Sequence, residues 1–267
     1  AVCVVTIPYE PLANDLIDDG WEHIHPFYDI AESYVESHPL SNGWYADPIE
    51  KTSFKKISNV LHLWSDNTSR AHHIQFIAWR LLRQDWVFDE APVNNENRFF
   101  ISEIIDALSK NEYFLDAGAH HGSVSQRFID LTSGNFKKIL MIEPDSINLK
   151  ELYNKLNSLD KDSQSKIQVM ATVVGQKKET RRFFEGLGYA SQLSELGGTK
   201  VEVTSIDEMK INPTFIKFHL EGCELSALKG AKNTILKCRP IIVTTSYHND
   251  EGIWKLPMWL MSIIPDY

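Results

Sequence analysis

Residues 114–122 read FLDAGAHHG. An apolar run stops at Asp116 and becomes a glycine-spaced turn, the pattern with which nucleotide-binding α/β proteins carry a strand into a helix across a ligand. Two histidines, His120 and His121, stand inside the turn, where a dinucleotide enzyme wants glycine and small residues.

The segments downstream have a regular order. EYFLDAG from residue 112, a helix over 122–132, the strand KKILMIEP, a helix over 145–157 and the strand KIQVMATVVG follow one another. After a polar, glycine-containing stretch (175–198) come KVEVTSI, the strand TFIKFHLEG, a helix over 223–237 and the strand RPIIVTTSYH (239–246 for its core). Strands alternating with helices of ten or more residues predict an α/β fold with a doubly wound, mostly parallel sheet. Upstream, VCVVTI (2–7) predicts a short strand, residues 9–20 a helix ending at Gly20, and EHIHPFYDI a further extended piece. Residues 38–58 read as a linker, 68–84 as a helix with a clean apolar stripe, 89–97 as a loop and 98–110 as an amphipathic helix.

The chain has 267 residues, 43% hydrophobic and 24% charged, with a net charge of −9. That charge argues against a nucleic-acid partner. No apolar stretch approaches the ~18–20 residues that span a bilayer. Three scattered cysteines (Cys3, Cys223, Cys238) suit neither a disulfide framework nor a zinc site and fit a reducing, cytoplasmic setting. No metal site is expected. The chain starts without Met inside a strand-like run, which suggests a fragment of a longer protein. PMWLMSIIPDY at the other end reads as a helix and a stop, so the sheet is expected to end without a terminal hairpin, leaving an exposed edge at Ile241 and Val243.

In an open parallel sheet, ligands bind beyond the carboxyl ends of the strands where strand order reverses. Gly118 can take the tight turn, and Gly122 lets the next helix pack close with its amide end toward the ligand. Glu143 follows the next strand about 20 residues after the glycines, where a ribose-binding carboxylate is expected. One ionised carboxylate accepts two hydrogen bonds from adjacent hydroxyls. The pattern G-x-G-x-x-G fails, because His120 and Ser123 occupy its second and third glycine positions. The loss argues against a pyrophosphate, and Asp116 suits a cation such as an ammonium or sulfonium. The residues therefore point to S-adenosylmethionine. Gly118, Ala119, His120 and Gly122 are its loop, Asp116 and Glu143 its acids, and Pro144, Ala171 and Thr172 its further neighbours.

A second constellation lies in FIKFHLEGCELSALKGA (215–231). His219 and Glu221 end a buried strand two residues apart and share one side of it, as does Lys217. With "FLDAGAHHGSVS" and "IEPDSINLKEL" in the same order and spacing, this block resembles the FkbM family of SAM-dependent methyltransferases over about residues 98–267. The resemblance implies a class I (Rossmann-like) methyltransferase domain over 98–267, preceded by a partial α/β unit and helical connector over 1–97. It also implies O-methylation of a hydroxyl on a sugar, glycan or polyketide-like acceptor. The family's D-x-E-G block falls on HLEG (219–222), with His219 in place of the aspartate. His219 is the expected base, Glu221 its partner, and His248, within a segment resembling a subset of the family, the alternate. Two other readings are a SAM- or nucleotide-binding module without chemistry, kept open by His219, and an NAD-dependent oxidoreductase, disfavoured by the broken glycine pattern.

Overall fold

The computed structural model describes residues 2–4, 9–34, 49–94 and 97–266. Packing divides the chain into two compact units, Ala1–Glu96 with Tyr247–Tyr267, and Asn97–Ser246.

In the first unit, β1 (Val2–Val4) and β2 (Ile24–Pro26) pair in parallel, Val2 opposite Ile24. Between them runs α1 (Glu10–Asp18), beyond which Gly20 takes φ +89°. The strand expected over 2–7 is described only to Val4. The extended piece expected after residue 22 ends at Pro26, which fixes the turn into α2 (Phe27–Ser33). Of the expected linker, residues 38–48 lie outside the described residues, and 54–58 are already helix α3 (Phe54–Leu63). Its buried positions are Ile57 and Val60, one turn apart. Asp66 caps α4 (Asn67–Leu82) by accepting from the Ser69 amide at 2.6 Å. The closing helix Gly252–Ile263 returns Ile253 and Trp254 onto Ile49, Ile57 and Val60.

The second unit begins with Phe99 and Phe100 buried in its core, so the helix expected over 98–110 shortens to α5 (Ser102–Ala107). There follow β3 (Tyr113–Ala117), α6 (Ser123–Leu131), β4 (Lys138–Ile142), α7 (Ser146–Asn157), α8 (Lys161–Ser165) and β5 (Ile167–Met170). The expected strand KIQVMATVVG breaks at this point. The Thr172 amide turns back to Met170 O and its hydroxyl donates to Glu202 O at 2.7 Å, which carries β6 (Val173–Val174) into a different sheet. That sheet, order β6-β9-β7-β8, is completed by β7 (Glu179–Phe184), β8 (Gln192–Leu193) and β9 (Thr199–Thr204) around Val173, Phe183 and Val203.

After α9 (Ile206–Met209) the chain re-enters the main sheet as β10 (Phe215–Phe218). The single helix expected over 223–237 is two, α10 (Glu224–Gly230) and α11 (Lys232–Cys238). The Asp207 carboxylate accepts from the Asn233 and Thr234 amides and gives α11 its own start. β11 (Ile241–Thr244) follows as an edge strand of half-buried residues. Among the described residues the main sheet has five strands, all parallel, in the order β11-β10-β3-β4-β5. Strand order reverses at β3, so a crevice opens beyond its carboxyl end.

Candidate active site

A cleft occupies that crevice. Gly118, Ala119, His120, Glu143, Pro144, Thr172, His219 and Glu221 all line it, so most of the residues picked from sequence converge there. Asp116, Gly122 and Ala171 do not line it.

The glycine turn is shaped by close approach. Gly118 holds φ +80°, and a Cβ there would lie 2.0 Å from the carbonyl oxygen of His219. The glycine turn and the end of β10 thus touch backbone to backbone. Gly122, at φ +76°, serves the packing of α6, where a Cβ would meet Leu152 Cδ1 at 2.6 Å. His120 adopts φ +49° without being glycine. Its ring is sandwiched between His121 (3.7 Å between centroids) and Tyr189 (3.6 Å). Both ring nitrogens are buried with no hydrogen-bond partner among the described residues. Burial, with His121 and the positive Lys217 adding to it, pushes its pKa down to about 4, so the imidazole is neutral near pH 7.

Glu143, at the end of β4, is buried yet borders the cleft. Its Oε2 accepts from the His120 amide at 2.8 Å, and its Oε1 from the Asp145 amide at 3.0 Å and Asn148 Nδ2 at 3.3 Å. Burial pushes its carboxyl up and outweighs those donors.

Asp116 is fully buried below the turn. Oδ1 faces Lys217 Nζ at 3.0 Å and Oδ2 accepts from Ser125 Oγ at 2.7 Å. Lys217, its register partner on β10, also donates to Gly118 O at 2.7 Å. The acid singled out by sequence therefore holds a lysine beneath the loop.

Opposite Glu143, across β3, His219 Nε2 lies 3.2 Å from Glu221 Oε1. Glu221 (φ +49°) and Gly222 (φ +97°) make a tight left-handed turn. Glu224 fastens it, accepting from the Leu220 amide at 2.8 Å, the Gly222 amide at 3.1 Å and Thr245 Oγ1 at 2.9 Å. His248 is buried and belongs to the first unit.

Sequence reading missed the third wall. Loop 185–191 carries Tyr189 and is pinned by the fully buried Asp145, whose Oδ2 accepts from the Gly186 amide at 2.7 Å and Ser191 Oγ at 2.6 Å. Asn148 Nδ2 bridges Gly188 O at 3.2 Å and Glu143. A signal for Asp145 existed, since an aspartate directly before a helical run is an N-cap. Arg98 and Phe99, within the amphipathic helix expected over 98–110, also line the cleft.

A family model described as the methyltransferase FkbM domain matches residues 116–263. The crystal structure of methyltransferase FkbM from Methylobacillus flagellatus KT superposes with a TM-score of 0.77 at 24% identity, covering 98% of this chain and 66% of that one. The fold is therefore that of a methyltransferase, and the chain spans just under two thirds of that relative's length. The structure of precorrin-6y C5,15-methyltransferase from Geobacter metallireducens GS-15 aligns at a TM-score of 0.31 and 16% identity, over 58% of this chain and 68% of that one, too distant to add to the argument. No curated protein matches the sequence. No helix among the described residues is long and apolar enough to cross a membrane.

Proposed function

The chain belongs to the FkbM methyltransferase family, and from that premise we propose that it transfers a methyl group from S-adenosylmethionine to a hydroxyl of a sugar, glycan or polyketide-like acceptor, in a methyltransferase domain covering residues 98–267. The observation that carries the reading is the arrangement of the cleft. A buried carboxylate, Glu143, faces one side of a glycine turn, and the His219–Glu221 pair, 3.2 Å apart, ends the strand on the other.

The residues present fit an adenosyl group. Glu143 Oε2, which accepts one hydrogen bond from the protein, keeps a lone pair for a ribose hydroxyl. Gly118 lets the glycine turn close against the His219 carbonyl, which brings the turn and the His219–Glu221 pair to one cleft. The neutral imidazole of His120 holds two unpartnered ring nitrogens at the wall. Pro144 and Thr172 border the same cleft. When bound, the cofactor supplies a methyl group activated on a sulfonium. The protein's own part is to align the acceptor oxygen and take its proton. An imidazole suits proton removal near pH 7, and the Glu221 carboxylate stabilises the imidazolium that results. His219 is thus the proposed base, with Glu221 orienting it or the acceptor. His248 is kept as the alternate base on the sequence grounds given above.

A SAM-binding module without chemistry is the second reading, favoured by His219 standing where the family block has its acid. Calorimetry and single-turnover methyl transfer separate the two. Glu143→Ala should lower SAM affinity about tenfold or more, because a charge-assisted hydrogen bond contributes roughly 1.5–3 kcal/mol. His219→Ala should slow the chemical step about 10²–10⁴-fold with SAM affinity nearly intact. Unchanged SAM affinity in the first variant removes Glu143 from the cofactor site. A wild-type rate in the second removes His219 from the chemistry, and SAM binding without transfer to any hydroxyl acceptor favours the module.

A further inference from the structure

The cleft holds two cations that the reading above leaves without a task. Arg98 and Lys217 both line it, and both approach the ring of Phe99. The Arg98 guanidinium carbon is 4.8 Å from the ring centroid and Lys217 Nζ is 5.4 Å from it. Each lies within the ~6 Å reach of a cation–π contact. Two like charges converging on one ring repel, and only one of them is balanced. Lys217 is paired with Asp116 at 3.0 Å, whereas Arg98 has no carboxylate partner among the described residues.

The donor count points the same way. A lysine ammonium carries three N–H groups, and Lys217 uses two, on Asp116 Oδ1 and Gly118 O. A guanidinium presents a planar fork that matches a carboxylate with two parallel hydrogen bonds. Phe99 also lies against His219, with ring centroids 5.9 Å apart. The positive patch therefore sits on the β10 side of the turn, and Glu143 on the β4 side.

We propose that Arg98 and Lys217 form a carboxylate subsite for the amino-acid end of the cofactor. The inference rests on the reading that S-adenosylmethionine occupies this cleft, and it gives the ligand a direction there. The carboxylate lies toward Phe99 and the ribose toward Glu143. Asp116 then acts through Lys217, holding the ammonium in place below the loop.

The test compares two ligands by calorimetry. S-adenosylhomocysteine carries the carboxylate, and 5′-methylthioadenosine carries the same nucleoside and thioether without an amino-acid end. Arg98 is exposed, so Arg98→Gln should fold normally. It should lose about ten- to a hundredfold in affinity for the homocysteine compound and keep its affinity for the other. Lys217→Met combined with Asp116→Asn removes the buried pair together and should show the same selective loss. Unchanged affinity for S-adenosylhomocysteine in Arg98→Gln, or equal losses for both ligands, overturns the subsite. A wild-type protein that binds neither ligand overturns the cofactor reading and the subsite with it.

Discussion

A methyl group added at position 118 would land 2.0 Å from the His219 carbonyl oxygen, well inside any tolerable contact. The neighbour is backbone, so no rotamer change relieves it, and φ +80° is itself unfavourable for any other residue. Gly118→Ala should destabilise the protein by about 1–3 kcal/mol or more and weaken SAM binding, because the loop and the end of β10 must separate. Thermal melts with and without ligand check this; an unchanged melting temperature and affinity would show that the seam is loose. His120 illustrates the opposite bargain two residues on. It accepts a left-handed backbone without being glycine, and its neutral ring fills the space between His121 and Tyr189.

Among the elements, α7 does more than connect β4 to β5. Its cap, Asp145, divides its oxygens between the helix and the loop opposite. Oδ1 takes the Ile147 amide at 2.8 Å and the Asn148 amide at 3.0 Å, while Oδ2 takes Gly186 and Ser191. Asp145→Ala should cost about 1–2 kcal/mol for the cap alone and also release loop 185–191. Limited proteolysis should then find new cleavage within 185–191, while Asp145→Asn, which keeps an acceptor, should be cut less. Equal resistance of the alanine variant and the wild type would mean that the loop is held elsewhere. The main sheet was largely legible in the sequence because its inner strands β3, β4 and β10 are buried and read as apolar runs. The second sheet was legible only at β6 and β9. β7 reads ETRRFF, with charged side chains that pair at the surface, as Arg181 does with Glu179 and Glu195, so it shows little apolar alternation. Of the site, the glycine turn, Glu143 and the His219–Glu221 pair could be found from local motifs. The Asp116–Lys217 pairing could not, because it depends on β10 lying beside β3, a matter of strand order that no local window carries.

For the whole molecule, the family match over residues 116–263 runs through both compact units. The closing helix is part of the first unit's core. Ile253 and Trp254 pack there, and Lys56 lies 4.0 Å above the Trp254 ring. Removing residues 247–267 should therefore expose Ile49, Ile57 and Val60 and lower the stability of that unit by several kcal/mol, given about 2–5 kcal/mol for each large buried side chain lost. Hydrogen exchange resolved along the chain would register the change as lost protection in α3; retained protection there would show that α3 is stable without the helix. The pairing of β10 with β3 has a further consequence, one of time. The Lys217–Asp116 contact joins positions 101 apart in sequence, and closing a loop of that size must be met in chain entropy before the contact returns anything. β3, β4 and β5 are joined by short local crossovers and can assemble early. The ammonium beneath the glycine turn arrives only when a distant part of the chain docks, so the floor of the cleft is completed late in folding.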